Sequence, residues 1–183
     1  MIKMNKLMQE EVLKIKDIDN TFDFTGKLSV INPLIYKIQD GIFMKIDERD
    51  KETLETVNYY EYEELSEFEY SCSEFLIENY FEGITYEQSL RLALDIIEIW
   101  GYKLHALYPN DEFHIILAIN LDEDFDKDVM IRYYKYRGED SFHYNLDELD
   151  KYTFHAVLVN VIEANKDEDG DDEIESDKVL ENE

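Results

Sequence analysis

The clearest hydrophobic pattern in the chain is a helical one in residues 85–109. Thr85 and Gln88 have the spacing of a capping box, in which two side chains close the first turn of a helix. Apolar residues then recur at helical intervals, at Leu90, Leu94, Ile97, Trp100 and Leu104. The pattern predicts a long helix that buries one apolar stripe and ends near Pro109.

Three other segments have patterns that are typical of strands. In residues 112–121 every second residue is apolar and the opposite face is partly apolar, which predicts a central strand. Residues 129–137 are rich in β-branched and aromatic side chains, and the short connection to the previous strand predicts a hairpin. In residues 27–47, two apolar runs flank Asp40 and Gly41, a pair that favours a two-residue turn between two further antiparallel strands.

Two segments fit both a helix and a strand. In residues 61–82, alternating aromatic side chains fit a strand face, while other apolar positions fit a helix face, and we expect a helix from about Ser73 onward. Asn145 and Glu148 have a capping-box spacing before an apolar run that ends at Ile162. A helix is favoured there, although the β-branched residues of this run also suit a strand.

These elements predict an α+β fold in which helices cover an antiparallel sheet of about four or more strands. A chain of 183 residues suits one domain, which we expect to span residues 1–164. Residues 165–183 carry many acidic and few apolar side chains, so we expect a disordered acidic tail. Charged residues interrupt the first apolar positions and no later run has membrane-spanning length, which favours a cytoplasmic protein without membrane contact.

The charge balance changes the functional expectation. The chain has 45 acidic and 18 basic residues, a formal net charge of −27. Direct binding of nucleic acid is disfavoured, because that affinity comes mainly from lysine and arginine replacing the counterions of phosphates. A basic protein partner is favoured, although acidity also serves solubility alone.

The acidic tract, residues 52–87, holds 11 acidic residues and no basic one, and eight aromatic residues interleave with them from Tyr59 to Phe81. Neighbouring carboxylates on one face of a strand or helix lie about 6–7 Å apart, close to the phosphate spacing of a nucleic-acid strand. The tract is therefore a candidate nucleic-acid mimic, and a solvated face over aromatic core residues is the alternative. The candidate partner-binding residues are Glu61, Glu63, Glu64, Glu67, Glu69, Glu74 and Glu78.

Catalytic and metal-binding patterns are weak, and we predict no catalytic residue, no cofactor and no metal. The four histidines, which show no paired spacing and are expected to be structural, are His105, His114, His143 and His155. Cys72 has acidic surroundings, and we expect it to be buried and inert. Two acidic segments partly resemble calcium loops, but one has Ser176 at the closing ligand position and the other has Lys127 at the glycine position.

A basic cluster of Arg132, Lys135 and Arg137 stands among tyrosines, and we expect these cations to pair with nearby acids. The sequence as a whole favours a non-enzymatic inhibitor, or an immunity or anti-defence protein. Its partner would be a basic protein, such as a nuclease or other nucleic-acid-binding enzyme, whose polyanion site it blocks by nucleic-acid mimicry. The alternatives are a small hydrolase or transferase with a site assembled from scattered His, Asp and Tyr residues, and a plain soluble scaffold module.

Overall fold

A computed structural model of the protein describes residues 1–18, 27–45, 64–122 and 127–165. The elements within these ranges are β1 (Ile2–Met4), α1 (Lys6–Lys14), α2 (Leu28–Ile31), β2 (Leu34–Ile38), β3 (Gly41–Lys45), α3 (Leu65–Cys72), β4 (Phe75–Leu76), α4 (Tyr86–Leu107), β5 (Phe113–Asn120), β6 (Val129–Lys135) and β7 (His155–Ile162). Short 3₁₀ turns follow β4 at Ile77–Asn79 and precede β7 at Leu149–Lys151.

The main sheet has five strands in the order β1-β7-β5-β6-β4, and every pair of neighbours is antiparallel. Strands β2 and β3 form a separate two-stranded sheet. The predicted α+β class is therefore confirmed, together with its antiparallel sheet of more than four strands. The hairpin of β5 and β6 is confirmed as well, with seven paired positions from Phe113 opposite Lys135 to Ile119 opposite Val129.

Strand β5 lies at the centre of the sheet because its side chains are apolar on both faces. Phe113, Ile115, Leu117 and Ile119 belong to the larger core cluster, which includes the buried stripe of α4. Ile116 and Ala118 belong to a second cluster on the other face, with Val157, Val159 and Val161 of β7. Burial on both faces is what a strand without clean alternation of apolar and polar residues requires.

Helix α4 forms as the sequence predicts, and its first turn is closed by the predicted capping box. The Thr85 hydroxyl accepts a hydrogen bond from the Gln88 amide, and the Gln88 side chain accepts one from the Thr85 amide. Trp100 is 1% exposed, and its ring lies 5.5 Å from that of Phe75 and 6.4 Å from that of Tyr133. Its indole nitrogen donates to the carbonyl oxygen of Ile31, so α4 also holds α2 in place.

The prediction for residues 61–82 is wrong in its order of elements. The helix, α3, ends at Cys72, and Ser73 is its C-cap rather than the start of a helix. The Ser73 hydroxyl donates to the Tyr133 carbonyl oxygen and accepts from the Tyr133 amide. This side chain therefore joins the chain to β6 and directs the next residues into β4.

The helix predicted through Ile162 is also wrong, since His155–Ile162 forms strand β7. Asn145 and Glu148 do contact each other, but the turn that follows them is only the 3₁₀ segment Leu149–Lys151. The β-branched residues of this run pack on both faces of a sheet between β1 and β5, and that packing outweighs a local capping signal.

The hairpin of residues 27–47 is confirmed in part. Its turn is Gln39 and Asp40, one residue earlier than predicted, because Ile38 pairs with Gly41. Gln39 has the positive φ of the turn, 53°. Gly41 is required for space, since a Cβ there would lie 2.6 Å from the ring of Phe43. The first apolar run also begins with the short helix α2 instead of a strand.

The N-terminal residues form β1 and α1, which the hydrophobic pattern did not indicate. Asn5 connects the two, because its side chain accepts hydrogen bonds from the amides of Met8 and Val157 and donates to the His155 carbonyl oxygen. Among the helices of the described ranges, none combines the length and apolar character needed to cross a membrane. The acidic tail predicted beyond Asn165 lies outside the described residues.

Replacement of Trp100 by alanine should destabilise the protein by about 3–5 kcal/mol, because a large buried side chain is removed and a cavity remains. Ile99, next to it on α4 and 38% exposed, is the matched control. Ile99→Ala should change the free energy of unfolding by about 0.5 kcal/mol or less. Urea denaturation of both variants measures the difference, and equal effects would contradict the assigned core face of α4.

Candidate functional site

Five of the seven candidate partner-binding residues lie within the described ranges, and all five are on or beside α3 and β4. They are Glu64, Glu67, Glu69, Glu74 and Glu78. The other two, Glu61 and Glu63, lie outside the described residues. The five side chains do not form one continuous surface of free carboxylates, because most of them accept hydrogen bonds from the protein itself.

Glu69 is the extreme case, with a side chain that is fully shielded from solvent. Its carboxylate makes two parallel hydrogen bonds with the guanidinium group of Arg137, at 2.7 and 2.8 Å. It also accepts from the amides of Ile42 and Lys135, each at 2.8 Å. A buried carboxylate with these four donors is a structural group, so Glu69 is not available to a partner.

Three further acids of the candidate set also act as acceptors inside the fold. Glu64 is the N-cap of α3, and its carboxylate accepts from the amides of Glu67 and Phe142. Glu74 forms an ion pair with Arg132. Glu78 accepts from the amide of Val129 at the start of β6, at 3.4 Å to each oxygen. These contacts fix the path of the chain around the β4 edge of the sheet.

The basic cluster provides the cations that the acidic tract lacks. Arg132 pairs with Glu74, Arg137 with Glu69, and Lys135 with Asp111. The expectation that these cations pair with nearby acids is therefore confirmed. The absence of lysine and arginine from the tract follows from this arrangement, because β6 brings the opposite charges to it from about 60 residues away in the chain.

Among the described residues of the tract, the acids that remain available are Glu67, Glu82 and Glu87. Within the described part of the chain, no hydrogen bond or ion pair holds these three side chains. Glu82 and Glu87 are exposed, and Glu67 is half-buried. The docking surface expected from the sequence is thus reduced, among the described residues, to a few separated carboxylates.

A network of hydrogen-bonded polar groups lies on the face of the sheet that is opposite to α4. The Nε2–H of His114 donates to Glu112, and the Tyr134 hydroxyl donates to Nδ1, each at 2.8 Å. The Tyr144 amide in turn donates to the Tyr134 oxygen at 3.0 Å. Every partner is consistent with a neutral imidazole, and burial lowers the pKa of His114 although the Glu112 carboxylate acts in the opposite direction.

This hydrogen-bond network does not activate His114 for catalysis. The residue is 2% exposed, and both ring nitrogens are engaged. The pKa of the Tyr134 hydroxyl is raised by burial, so it is a poor nucleophile. A small cavity of about 230 Å³ beside it is lined by Tyr136 and His143, whose Nδ1–H donates to the Ser141 carbonyl oxygen. The burial and the two hydrogen bonds of His114 are what we expect for a structural histidine.

Cys72 corrects one expectation, because it is exposed rather than buried. It is the last residue of α3, where the helix turns toward β4. Partial desolvation still raises the pKa of its thiol to about 11, so little thiolate forms at neutral pH. Among the described residues, no group of three or more His, Cys, Asp or Glu side chains is arranged to hold a metal ion.

A groove of about 750 Å³ lies between α4 and the β1–β7 edge of the sheet. Its apolar lining includes Met1, Ile2, Leu94, Ile97, Tyr102 and Ile162. Charged side chains at its rim are Arg91, Asp95, Glu98 and Glu163. Sequence reasoning missed this groove, because its lining comes from the two ends of the described chain and from α4 between them.

Gly101 determines how closely α4 approaches β7 beneath the groove. A Cβ at this position would lie 2.6 Å from the Cδ1 of Ile162, which is too close for a larger residue. Asn160 at the floor is 9% exposed, and its amide donates to the Ile97 carbonyl oxygen at 3.3 Å. A glycine within a long apolar helix was the one sequence signal of this close contact.

Taken together, the fold and the surface define an acidic α+β protein with a buried, hydrogen-bonded His114, an internally paired basic cluster and an open groove. The chain belongs to the Uncharacterized protein PM0498 family, whose sequence model matches residues 3–169. No curated protein and no solved structure shows a significant match to the chain.

Replacement of Glu69 by glutamine should destabilise the protein by about 3–5 kcal/mol, because the shielded neutral amide cannot accept all four hydrogen bonds and Arg137, 21% exposed, loses its counter-charge. Glu67→Gln is the matched control on the same helix, and its effect should be within about 0.5 kcal/mol. Chemical denaturation measures both. Equal stability of the two variants would contradict the structural role assigned to Glu69.

The stability of the protein should depend on pH through His114. Because the pKa of His114 is lower in the folded state, the unfolded chain binds the proton more readily below about pH 6.5. The contribution is therefore fully present above about pH 6.5 and is lost as the pH falls, by at most about 1.4 kcal/mol per pH unit. His114→Gln should flatten this part of the stability profile, while His155→Gln, at an exposed position, should not.

Proposed function

We propose that this chain is a non-enzymatic acidic protein that binds a basic protein and blocks its polyanion-binding site. Its partner is a nucleic-acid-binding enzyme, such as a nuclease, and the chain acts as an inhibitor, in the manner of an immunity or anti-defence protein. The negative surface takes the place of phosphate groups, which is the sense in which the protein is a nucleic-acid mimic.

One observation carries this proposal: most of the lysines and arginines of the described residues are paired with acids of the same ranges. These residues include 14 lysines and arginines and 23 acidic residues. Nine of the 14 cations form ion pairs with acids of the same ranges. The charge that is left unpaired in these ranges is therefore mostly negative.

The segments outside the described residues add further negative charge. The described residues have a net charge of −9, while the whole chain has −27, so −18 belongs to the other segments. Charge of one sign on this scale attracts a partner of the opposite sign over distances of about one Debye length, roughly 8 Å at physiological ionic strength. It accelerates encounter and selects basic surfaces, which are the surfaces that bind nucleic acids.

Capture from an extract of the natural host, with the full chain immobilised, tests the proposal. A basic protein should bind at low salt and be released steeply as salt increases, and nucleic acid should compete for it. The variant Glu61→Lys, Glu63→Lys, Glu67→Lys, Glu82→Lys tests the acidic tract. It omits Glu69, because reversing that buried charge would unfold the protein.

The matched control reverses four exposed acids elsewhere, Glu10, Asp17, Glu139 and Asp140, and so changes the net charge by the same amount. Loss of binding in the tract variant alone supports mimicry by the tract. Equal weakening of both variants supports attraction by total charge without a defined tract surface. Binding that is insensitive to salt and to nucleic acid would contradict the proposal and favour the scaffold or enzyme alternatives.

A further inference from the structure

The groove between α4 and the β1–β7 edge combines apolar side chains with unusual exposure. Met1 and Ile2 are each 56% exposed, and Tyr102 is 71% exposed. They surround the same depression, so their exposed surfaces are contiguous rather than scattered. Contiguous apolar surface with a polar rim is typical of a binding site for another protein or a ligand.

The groove has a length and shape that suit a helix. Its lining residues on α4 extend from Arg91 to His105, which corresponds to about 21 Å along the helix axis. A second depression, between α1 and α4, shares Arg91 and Leu94 with it and adds Leu13, which is 71% exposed. The apolar path therefore continues past one end of the main groove. Its floor is pre-formed by Gly101 and Asn160.

The charges at the rim define the chemistry of the occupant. Arg91 is neutralised by Asp95 at 3.3 Å, and the Met1 ammonium group donates to the Val161 carbonyl oxygen. Glu98 and Glu163 are exposed on the two sides of the groove. An occupant with cations flanking an apolar stripe fits both the apolar lining of the groove and the exposed carboxylates at its rim. A second copy of this chain fits poorly, because each copy has a net charge of −27.

We infer that this groove is a docking site for an amphipathic helix with basic flanks, contributed by the protein partner. The inference deepens the proposed function and rests on it only in taking the partner to be basic. Addition of a strand to β1 is a poorer fit, because β1 has three residues and offers a short edge. The groove lies at the opposite edge of the sheet from α3 and β4, so it is separate from the acidic tract.

Docking in this groove would give the partner a defined orientation. Electrostatic attraction alone does not do so. Exposed charges attract any basic surface, whereas apolar side chains that enter a shaped groove discriminate between sequences. Helix-in-groove recognition commonly uses apolar anchors spaced three, four and seven residues apart. Ile2 and Tyr102 face such anchors from the two walls, and Glu98 and Glu163 contact the flanking cations.

Three synthetic peptides of about 15 residues, long enough to span about 21 Å as a helix, provide the probes. The first has a leucine stripe with lysine flanks, the second has the same stripe with glutamate flanks, and the third has the lysine flanks with serine in place of leucine. Fluorescence anisotropy with the full chain measures affinity. Backbone amide NMR shifts show which residues respond, and residues 91–105 and 160–163 should respond to the first peptide.

The groove variant Ile2→Asp, Tyr102→Asp changes two exposed side chains and should leave the fold intact. Its matched control is Leu34→Asp, Phe154→Asp, at positions that are 63% and 64% exposed outside the groove. The lysine-flanked peptide should bind the groove variant about tenfold or more weakly than the control. Glutamate flanks should weaken its binding to the unchanged chain by a similar factor.

Four outcomes overturn the inference: no binding of the lysine-flanked peptide, NMR shifts confined to other surfaces, equal binding of the serine peptide, or equal affinity of the two variants. Concentration-dependent dimers of the unchanged chain, abolished by the groove variant, would assign the groove to a second copy instead. The proposed function fails separately, by its host-extract experiment. A captured basic partner with no peptide binding refutes the groove alone, and peptide binding without any basic partner refutes the function alone.

Discussion

The buried carboxylate of Glu69 connects three parts of the structure. It lies on α3, accepts a hydrogen bond from the amide of Ile42 near the start of β3, and pairs with Arg137 just beyond β6. Its shielding from solvent is complete, so each of its hydrogen bonds acts in a low-dielectric environment. Together with the Tyr133 hydroxyl, which donates to the Ile42 carbonyl oxygen, this group joins α3 and the β2–β3 hairpin to the main sheet.

The long-range pairing of charges explains why the acidic tract was easy to recognise and hard to interpret. Its composition is plain in the sequence, but a carboxylate at residue 69 and a guanidinium at residue 137 give no local signal of their contact. Residues 155–162 were mispredicted for the same reason. A local capping pair indicated a helix, but this segment pairs as a strand with β1 and β5, which are distant in the sequence. By contrast, α4 and β5 were predictable, because their apolar periodicity and the capping box at Thr85 are local and agree with their packing.

For the candidate site, only the sign of its charge could be predicted from the sequence. Net charge was the basis for expecting a basic partner. The structure then separated the acids that accept hydrogen bonds or ion pairs within the fold from those that do not. The groove had no counterpart in the sequence, since Ile2, Tyr102 and Ile162 are brought together by the order of strands in the sheet. Local patterns could not reveal it, because strand order is set by packing between residues that are distant in the chain.

The pairing of β1 with β7 has a consequence for how the protein is made. Ile2 lies opposite Asn160, so the second residue of the chain finds its strand neighbour only after almost all of the described sequence has been synthesised. The central strand β5 likewise waits for β7 on one side. At a synthesis rate of about 5–20 residues per second, an apolar strand edge stays open for several seconds on the ribosome. Closure of the sheet is therefore a late, non-local event, and like net charge on neighbouring chains opposes their association until then.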